Sequence, residues 1–392
     1  MTPIVLREGS TGHRVYLVGA WLLVAIAIVY VPLSTKFGFT PGSIDQPSRI
    51  GQLNELIAYA VALLGLDLII GFSGQLSLGH SAFVGLGAYT TVILVADHHW
   101  SYFATLPVSA VVCFGAGLLV GIPATRIKGV YLAVLTLVVA YVFPLLVLRF
   151  DWLTGGPNGK GPGRTHGKLV APSWLPFADT GRLAGPLWVY CISIALATLL
   201  FVVARNVIKS RPGRALIAVR DYESSAVAAG VHASIYKSIA FGIGAMYGGL
   251  AGSMLMMNQP FATDSMFGIK MALFLVVGLV VGGTGTISGA VVGAFVYLFV
   301  PYFVTQWTFD QSGIPPGLRQ LTAPLFSWMR PAGGGAVGIF FGLALVILMF
   351  VLPGGFISGV RRLRARLVTV VARPKWLRAK HASVPAPQCE PE

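Results

Sequence analysis

Few ionisable side chains fall within the long apolar segments of this sequence, and such residues are candidate functional groups because charge inside a membrane is costly. Asp67 lies four residues before Gly71, and His80 follows a stretch that glycines interrupt. Interruptions of this kind expose backbone carbonyl and amide groups, which can bind a polar substrate or face a water-filled cavity. The residues of this candidate substrate pathway are Asp67, Gly71, Gly74, Gln75, Ser77, Gly79 and His80. Alternatively, Gln75, Ser77, His80 and Ser81 hydrogen-bond neighbouring helices to one another.

A polar, basic segment interrupts the apolar sequence at residues 210–234. Basic residues bracket Asp221 and Glu223, and a run of small residues ends at Gly230. This pattern predicts a short amphipathic helix that ends at Gly230, because glycine accepts the left-handed C-cap conformation without steric cost. A cytoplasmic partner would contact such a segment, and a solvated loop is the alternative. The bracketing basic residues are Arg211, Arg214, Arg220 and Lys237.

The sequence lacks the motifs of an energy-converting or hydrolytic enzyme. It contains no G-x-x-x-x-G-K-[ST] nucleotide-binding loop, and the nearest stretch, 155–160, has neither the glycine spacing nor a hydroxyl after Lys160. No H-E-x-x-H metal motif, G-x-S-x-G nucleophile elbow or arginine-studded voltage-sensing span occurs. We therefore expect a chain that is not itself an enzyme and that holds no metal.

The composition is that of a polytopic membrane protein. Of the 392 residues, 55% are hydrophobic and 10% are charged, and the mean hydropathy is +0.78, whereas soluble domains carry about 25% charged residues. The net charge of +15 does not indicate nucleic-acid binding, because the positive residues lie between the apolar runs, as the positive-inside rule describes. The cysteines, Cys113, Cys191 and Cys389, indicate neither a disulfide framework nor a thiolate metal site.

The apolar runs predict an all-α fold of about ten transmembrane helices. An even number of spans with a cytoplasmic basic tail places the amino terminus in the cytoplasm as well, together with Arg126 and Lys128. The predicted spans are 15–33, 53–71, 76–96, 103–123, 129–148, 187–204, 235–257, 269–283, 287–304 and 336–352. The predicted parts are a cytoplasmic amino terminus (1–14), a transmembrane domain (15–352) with a cytoplasmic segment (210–234) and external connections (149–186 and 305–335), and a partly disordered cytoplasmic tail (353–392).

Glycines recur at every fourth residue in several predicted spans. This spacing places small residues on one helix face, where neighbouring backbones can approach closely. The pattern predicts a tightly packed, glycine-striped bundle, and lining of a pathway is the alternative role. The glycines assigned to helix packing are Gly244, Gly248, Gly252, Gly285, Gly289 and Gly293.

Several motifs occur in the order typical of one transporter family. They are DLIIGFSGQLSLGHSAFVGLGAY (67–89), DWLTGGPNG (151–159), GRALIAVRDYESSAVAAGV with YKSIAF (213–241), GGTGTISGAVVGA (282–294) and LPGGF (352–356). With them the chain resembles the LivM-type permease subunits of ABC importers for branched-chain amino acids. Together these motifs are highly specific, although each alone is weak.

The resemblance implies a permease that translocates leucine, isoleucine and valine across the cell membrane (the inner or plasma membrane). It implies ATP hydrolysis by two separate cytoplasmic ATPase subunits, an external solute-binding protein and a second, LivH-like permease. ATP and Mg²⁺ would be used by the ATPase subunits, with no cofactor bound by this chain. Segment 210–234 would carry the coupling helix, with Ser224 and Ser225 departing from the family pattern E-A-A-x-x-x-G. The implied coupling residues are Arg214, Arg220, Asp221, Glu223, Ala226 and Gly230.

Other functions stay open on the sequence alone. Importers of urea or short-chain amides use closely similar permeases. An ion-coupled secondary transporter, with Asp67 and His80 as a proton or sodium relay, belongs to a different class. The small number of charged residues within the predicted spans argues against it. A membrane enzyme is disfavoured because no catalytic constellation is visible.

Overall fold

The computed structural model describes residues 4–7, 47–127, 129–162, 183–259, 261–309 and 368–371, with short pieces at 169, 171–173, 342 and 355–357. The chain divides into two compact units. In the unit that takes in both chain termini, strand β1 (Ile4–Arg7) pairs in parallel with strand β2 (Val368–Val371), with Ile4 opposite Val368. Both strands are rich in β-branched residues, which favour extended backbone.

The other unit is a bundle of helices. Its longer helices are α1 (Pro47–Asp67), α2 (His80–His98), α3 (Tyr102–Ala124), α4 (Val130–Arg149), α6 (Ala184–Lys209), α9 (Ala233–Asn258), α10 (Ile269–Gly282) and α11 (Ile287–Phe309). Its shorter helices are α5 (Asp151–Thr154), α7 (Arg211–Asp221) and α8 (Glu223–Ala228). A π-helical turn (Leu68–Phe72) extends α1, and 3-10 turns occupy Gly156–Asn158 and Asp264–Phe267.

The prediction of a helical, polytopic membrane protein is confirmed. Among the described residues, 7 helices are long and apolar enough to cross a membrane: α1 with its π turn, α2, α3, α4, α6, α9, and α10 with the 3-10 turn before it. The apolar part of α11, Ile287–Pro301, is shorter than these spans. The predicted count of about ten is not established, because the predicted spans 15–33 and 336–352 lie outside the described residues.

Helix α9 lies at the centre of the bundle and packs against α1, α2 and α3. In its most apolar window 83% of the residues are buried, against 22% in α3 and 28% in α4. Val111 and Leu119 on α3 are 72% and 73% exposed. Because these exposed side chains are apolar and lie on candidate membrane spans, the outer faces of α3 and α4 suit contact with lipid.

Glycine lets the central backbones approach closely. A Cβ atom at Gly252 of α9 would overlap the carbonyl oxygen of Val84 in α2, and one at Gly87 would overlap the carbonyl oxygen of Gly249. At Gly244 a Cβ would overlap Ile69, and at Gly293 it would lie 2.5 Å from the carbonyl oxygen of Gly278. Small residues here allow the interhelical dispersion contacts that hold membrane helices together.

The remaining glycines assigned to packing have different surroundings. A Cβ at Gly248 would lie 3.1 Å from Nε2 of His80, and one at Gly289 would overlap the carbonyl oxygen of Gly283. Gly285 is not in a helix: it has φ +71° in the turn between α10 and α11. Glycine is favoured at this position because the backbone has a positive φ, not because the residue belongs to a stripe on a helix face.

Contacts of the bundle collect at two ends. One end, here called the α7 end, contains the end of α1, the helices α7 and α8, the start of α9 and the turn at Gly285. At the opposite end, Asn258 Nδ2 donates to the carbonyl oxygen of Gly51 at 3.1 Å, and Lys160 Nζ pairs with Asp97 at 2.6 Å. Helix α1 ends at the α7 end and α9 begins there, as expected for spans that cross a membrane in opposite directions.

We expect Gly252→Ala to destabilise the bundle, because α2 and α9 would have to separate around the new methyl group. The expected loss is about 1–3 kcal/mol, typical of an overpacked interior. Gly115→Ala on α3 is the matched control, since no described atom beyond its own stretch of α3 lies within 4 Å of its Cβ position. Thermal unfolding of the purified protein in detergent measures both. Equal midpoints for the two variants would contradict the close approach of α2 and α9.

Candidate functional site

Residues 73–79, here called the re-entrant segment, connect the π turn to α2 without forming a helix. The Ser73 hydroxyl donates to the carbonyl oxygen of Ile69 at 2.9 Å, and Gly74 has φ +71°. Both features turn the chain out of the helix, because a serine hydroxyl competes for the helical carbonyl and glycine alone accepts this φ freely. π-helical turns such as Leu68–Phe72 often mark functional sites.

The re-entrant segment runs back into the bundle. At its start, Gln75 Nε2 donates to the carbonyl oxygen of Lys237 at 3.2 Å. Just past its end, His80 lies beside Gly248, which is 11 residues farther along α9 than Lys237 and therefore about 16 Å deeper. Leu78 N–H donates to the Thr136 hydroxyl of α4 at 2.8 Å. Non-helical backbone at membrane depth is tolerated only where protein buries it or where it lines a cavity.

Polar side chains of this region are buried, and several of their atoms lack hydrogen-bond partners among the described residues. Gln75 is 4% exposed and Ser77 and His80 are each 1% exposed. Gln75 Nε2 is satisfied by Ser73 and Lys237, but its Oε1, the Ser77 and Ser81 hydroxyls and both ring nitrogens of His80 have no partner in standard geometry. The backbone of Ala62 lies close enough to His80 to interact with its ring. Gln75 Oε1 and the hydroxyls of Ser77 and Ser81 therefore have hydrogen-bonding capacity that the described residues do not use.

Asp67, at the end of α1, joins the α10–α11 turn to the bundle. It is fully buried, and its Oδ1 accepts from Gly285 N–H at 2.7 Å. A Cβ at Gly71 would overlap both Asp67 Oδ1 and the nitrogen of Gly285, so glycine is needed at 71. Thr286 stiffens the same turn, since its hydroxyl donates to Gly283 O at 2.8 Å and accepts from Gly289 N–H at 3.2 Å.

Arg220, in the last turn of α7, reaches the π turn. Its Nη1 donates to the carbonyl oxygen of Gly71 at 2.6 Å, and its Nη2 pairs with Asp221 at 2.8 Å. A Cβ at Gly74 would lie 2.6 Å from Cγ of Arg220, so glycine leaves the space through which the side chain passes. Gly71 is a predicted pathway residue and Arg220 a predicted coupling residue, and the structure brings these two residues into contact. We call this contact region the Arg220 junction; its residues are Asp67, Gly71, Gly74, Arg220 and Gly285.

The other predicted coupling residues lie around this junction. Glu223 at the start of α8 pairs with Lys237 of α9 at 2.7 Å, and Ala226 is buried with Val219 and Ala233. Arg214 instead turns away, and its Nη1 donates to the carbonyl oxygen of Lys209 at 2.7 Å. Tyr222 and Val227 are 75% and 54% exposed, which leaves a partly apolar outer surface on α7 and α8.

The prediction of one helix ending at Gly230 needs correction. Two helices occupy the segment, because the backbone breaks at Tyr222, which has φ −148° and ψ 90°. The end of the second helix is as expected: Gly230 has φ +85°. Gly230 N–H donates to Val227 O at 2.9 Å, and Val231 N–H donates to Ala226 O at 3.0 Å. These paired bonds are those of a Schellman C-cap.

Three residues of the site, Ser73, Thr136 and Lys237, are not among those predicted from the sequence. Ser73 and Thr136 support the re-entrant segment through their hydroxyls. Thr136 stands alone in an apolar run, so nothing in its surroundings in the sequence distinguishes it. In the sequence, Lys237 is one of several basic residues around 210–234, and the structure shows that it lies at the start of α9, opposite Glu223. Among the described residues, no group of three or more His, Cys, Asp or Glu side chains could hold a metal ion.

Comparisons with known proteins give one family. The model of the branched-chain amino acid transport system permease component matches residues 49–325. The high-affinity branched-chain amino acid transport system permease protein LivM of Escherichia coli (strain K12) is 28% identical over 283 residues, 67% of this chain and 64% of that protein. The protein of the same name from Salmonella typhimurium is 28% identical over 298 residues, 71% of this chain and 66% of that protein. The chain thus covers slightly less than two thirds of these relatives' length, and no solved structure matches it.

We expect Asp67→Ala to loosen the α10–α11 turn, because the Gly285 N–H would lose its acceptor inside the protein. Leaving such a group unpaired costs about 1–3 kcal/mol. Asp67→Asn keeps an oxygen at this position and should cost less. Thermal unfolding together with amide hydrogen exchange at 283–286 measures the effect. Wild-type exchange at these amides in Asp67→Ala would show that the carboxylate does not hold the turn.

Proposed function

The chain belongs to the family of branched-chain amino acid transport permeases, and on this premise we propose that it is the membrane-spanning permease subunit of an ABC importer. Its substrates would be leucine, isoleucine and valine. The observation that carries the proposal is the family match across residues 49–325, and the names of the relatives support the substrate class. The buried polar atoms along the re-entrant segment suit passage of a polar solute through an otherwise apolar bundle.

Energy would come from two ATPase subunits that dock on α7 and α8 from the cytoplasm and use ATP and Mg²⁺. The exposed Tyr222 and Val227 give these helices a surface that a protein partner can cover. A second, LivH-like permease would complete the pathway, and an external solute-binding protein would deliver the amino acid at the opposite end. In this arrangement affinity for the substrate resides largely in the binding protein.

The α7 end would face the cytoplasm of a cell with this chain in its inner or plasma membrane, and both termini would be cytoplasmic. The distribution of positive charge supports this orientation. Arg126 follows α3, and Arg205, Lys209, Arg211 and Arg214 lie where α6 meets α7, all near the α7 end. At the opposite end, the charge of Lys160 is offset by Asp97.

Movement of the coupling helices would pass through the Arg220 junction. ATP binding draws the two ATPases together, and α7 and α8 follow them. Because Arg220 is bonded to Gly71 O, displacement of α7 pulls the π turn and the re-entrant segment that follows it. The ATPase states must contact α7 and α8 differently, since only differential binding can shift the balance between outward- and inward-facing forms.

The alternatives have less support. A urea or short-chain amide importer would use the same architecture, and the names of the relatives favour branched-chain amino acids instead. An ion-coupled relay would need Asp67 and His80 to communicate. Asp67 is bonded to Gly285, whereas the His80 ring interacts with the backbone of Ala62, and no hydrogen bond among the described residues joins the two side chains.

ATP-dependent uptake in proteoliposomes tests the proposed function. The vesicles would contain this chain, its partner permease and the ATPases, with the binding protein outside, and would receive leucine and urea in separate runs. Leucine uptake that requires ATP is the expected result. Urea uptake alone would change the substrate class, and uptake driven by an ion gradient without ATPases would overturn the proposal.

We expect Arg220→Met to uncouple transport from ATP hydrolysis, because the bond from α7 to the π turn would be lost. A hydrogen bond from a charged donor contributes about 1.5–3 kcal/mol, so uptake should fall about tenfold or more. ATP hydrolysis should continue, since α7 and α8 still present their outer surface. Lys209→Met is the control, because it removes an exposed positive charge just before α7. An equal loss of uptake in both variants would assign the effect to charge rather than to the junction.

A further inference from the structure

A pocket of about 220 Å³ opens at the α7 end, between the re-entrant segment, α7, α8, the start of α9 and the connection from α3 to α4. Its size is below the roughly 300–1,000 Å³ of pockets for drug-sized ligands. A solute of the size of a single amino acid therefore fits this pocket, whereas a whole peptide or nucleotide is too large for it. The pocket adjoins the Arg220 junction and is distinct from the buried polar atoms around His80.

One part of the pocket wall is apolar. Leu76 comes from the re-entrant segment, Ile127 and Leu132 from the α3–α4 connection and the start of α4, and Val219 from α7. Ile127 belongs to an apolar cluster that includes the buried Leu132, so this side of the wall is packed rather than open. Aliphatic side chains from three separate segments thus converge on one small space, which suits a branched aliphatic group.

The other part of the wall carries charges of both signs. Arg220 and Lys237 supply positive charge, and Glu223 supplies negative charge, with Glu223 and Lys237 side by side at 2.7 Å. Gln75 also lines the pocket; it is buried, and its Oε1 has no hydrogen-bond partner among the described residues. A ligand with one carboxylate and one ammonium group would complement this set, because each of its charges meets an opposite charge.

We propose that this pocket binds a free aliphatic α-amino acid from the α7 side, which is the transported product if the proposed function holds. The α-carboxylate lies against Arg220 and Lys237, the ammonium group donates to Glu223 and to Oε1 of Gln75, and the branched side chain contacts the apolar wall. Urea has no charge to place against these groups, so the pocket discriminates against it.

Occupation of the pocket restrains the coupling helices. The ligand contacts α7 and α8 on one side and the α3–α4 connection and the re-entrant segment on the other. A ligand that bridges these parts stabilises the arrangement in which they are close and opposes any state in which α7 and α8 move away. Product that accumulates on the α7 side therefore slows its own uptake.

The test uses proteoliposomes whose lumen is the α7 side, loaded with ATP and increasing unlabelled leucine, while the binding protein delivers labelled leucine from outside. In the wild type we expect luminal leucine to lower the initial uptake rate about fivefold or more, as in ordinary coupling between two sites. Ile127→Trp fills the pocket, so its ratio of rates with and without luminal leucine should approach one. Val130→Trp is the matched control, since Val130 is 71% exposed and does not line the pocket. It should keep the wild-type ratio.

Two luminal analogues with the same branched chain separate the contributions of the charges. Isocaproate lacks the ammonium group and isoamylamine lacks the carboxylate, and neither should inhibit. Two results would contradict binding of leucine in the pocket: uptake by the wild type that luminal leucine does not change, or equal inhibition of the wild type and Ile127→Trp. Either result would leave the proposed function in place.

Absence of leucine uptake into vesicles whose lumen holds ATP but no leucine would instead contradict the proposed function. The pocket is then tested directly, by binding of labelled leucine to the purified permease complex without the binding protein. Binding by the wild type and by Val130→Trp but not by Ile127→Trp would support the pocket. Equal binding by all of them, or by none, would reject it.

Discussion

The guanidinium of Arg220 donates to the carbonyl oxygen of Gly71 at 2.6 Å, and through this bond a surface helix holds the interior of the bundle. Hydrogen bonds from a charged donor are roughly twice as strong as neutral ones. The bond exists because a carbonyl in the π turn is turned toward α7 and because Gly74 has no side chain to block the arginine. Asp67 fixes the neighbouring turn from the other side by accepting from Gly285 N–H.

The re-entrant segment depends on the glycine packing of the central helices. Irregular backbone at membrane depth has to be covered by protein. Helix α9 provides this cover, since its glycines bring its backbone against α1 and α2, and Thr136 of α4 binds the Leu78 amide. The packing glycines and the re-entrant segment therefore form one construction, in which closely packed helices enclose a segment that α7 contacts through Arg220.

Much of the helical bundle could be predicted from the sequence, because long apolar runs and glycine spacing are local features. The predicted runs from 53–71 to 287–304 correspond to helices, except that the run 76–96 begins in the re-entrant segment and becomes helical only at His80. The turn at Gly230 follows from glycine's freedom at positive φ. The break at Tyr222 was not predictable, since nothing in that residue disfavours a helix. The bond between Gly71 and Arg220 joins residues 149 positions apart, and no local pattern encodes it. The spans 15–33 and 336–352 stay predictions.

Distance measurements can test directly whether the Arg220 junction carries movement from α7 to the re-entrant segment. Spin labels at Leu76→Cys and Trp100→Cys, with the native cysteines replaced, would report the distance from the re-entrant segment to the opposite end; both positions are exposed. In the assembled complex, ATP should shift this distance when Arg220 is present and leave it unchanged in Arg220→Met. The same shift in both proteins would show that movement reaches the re-entrant segment by another route and would contradict the account.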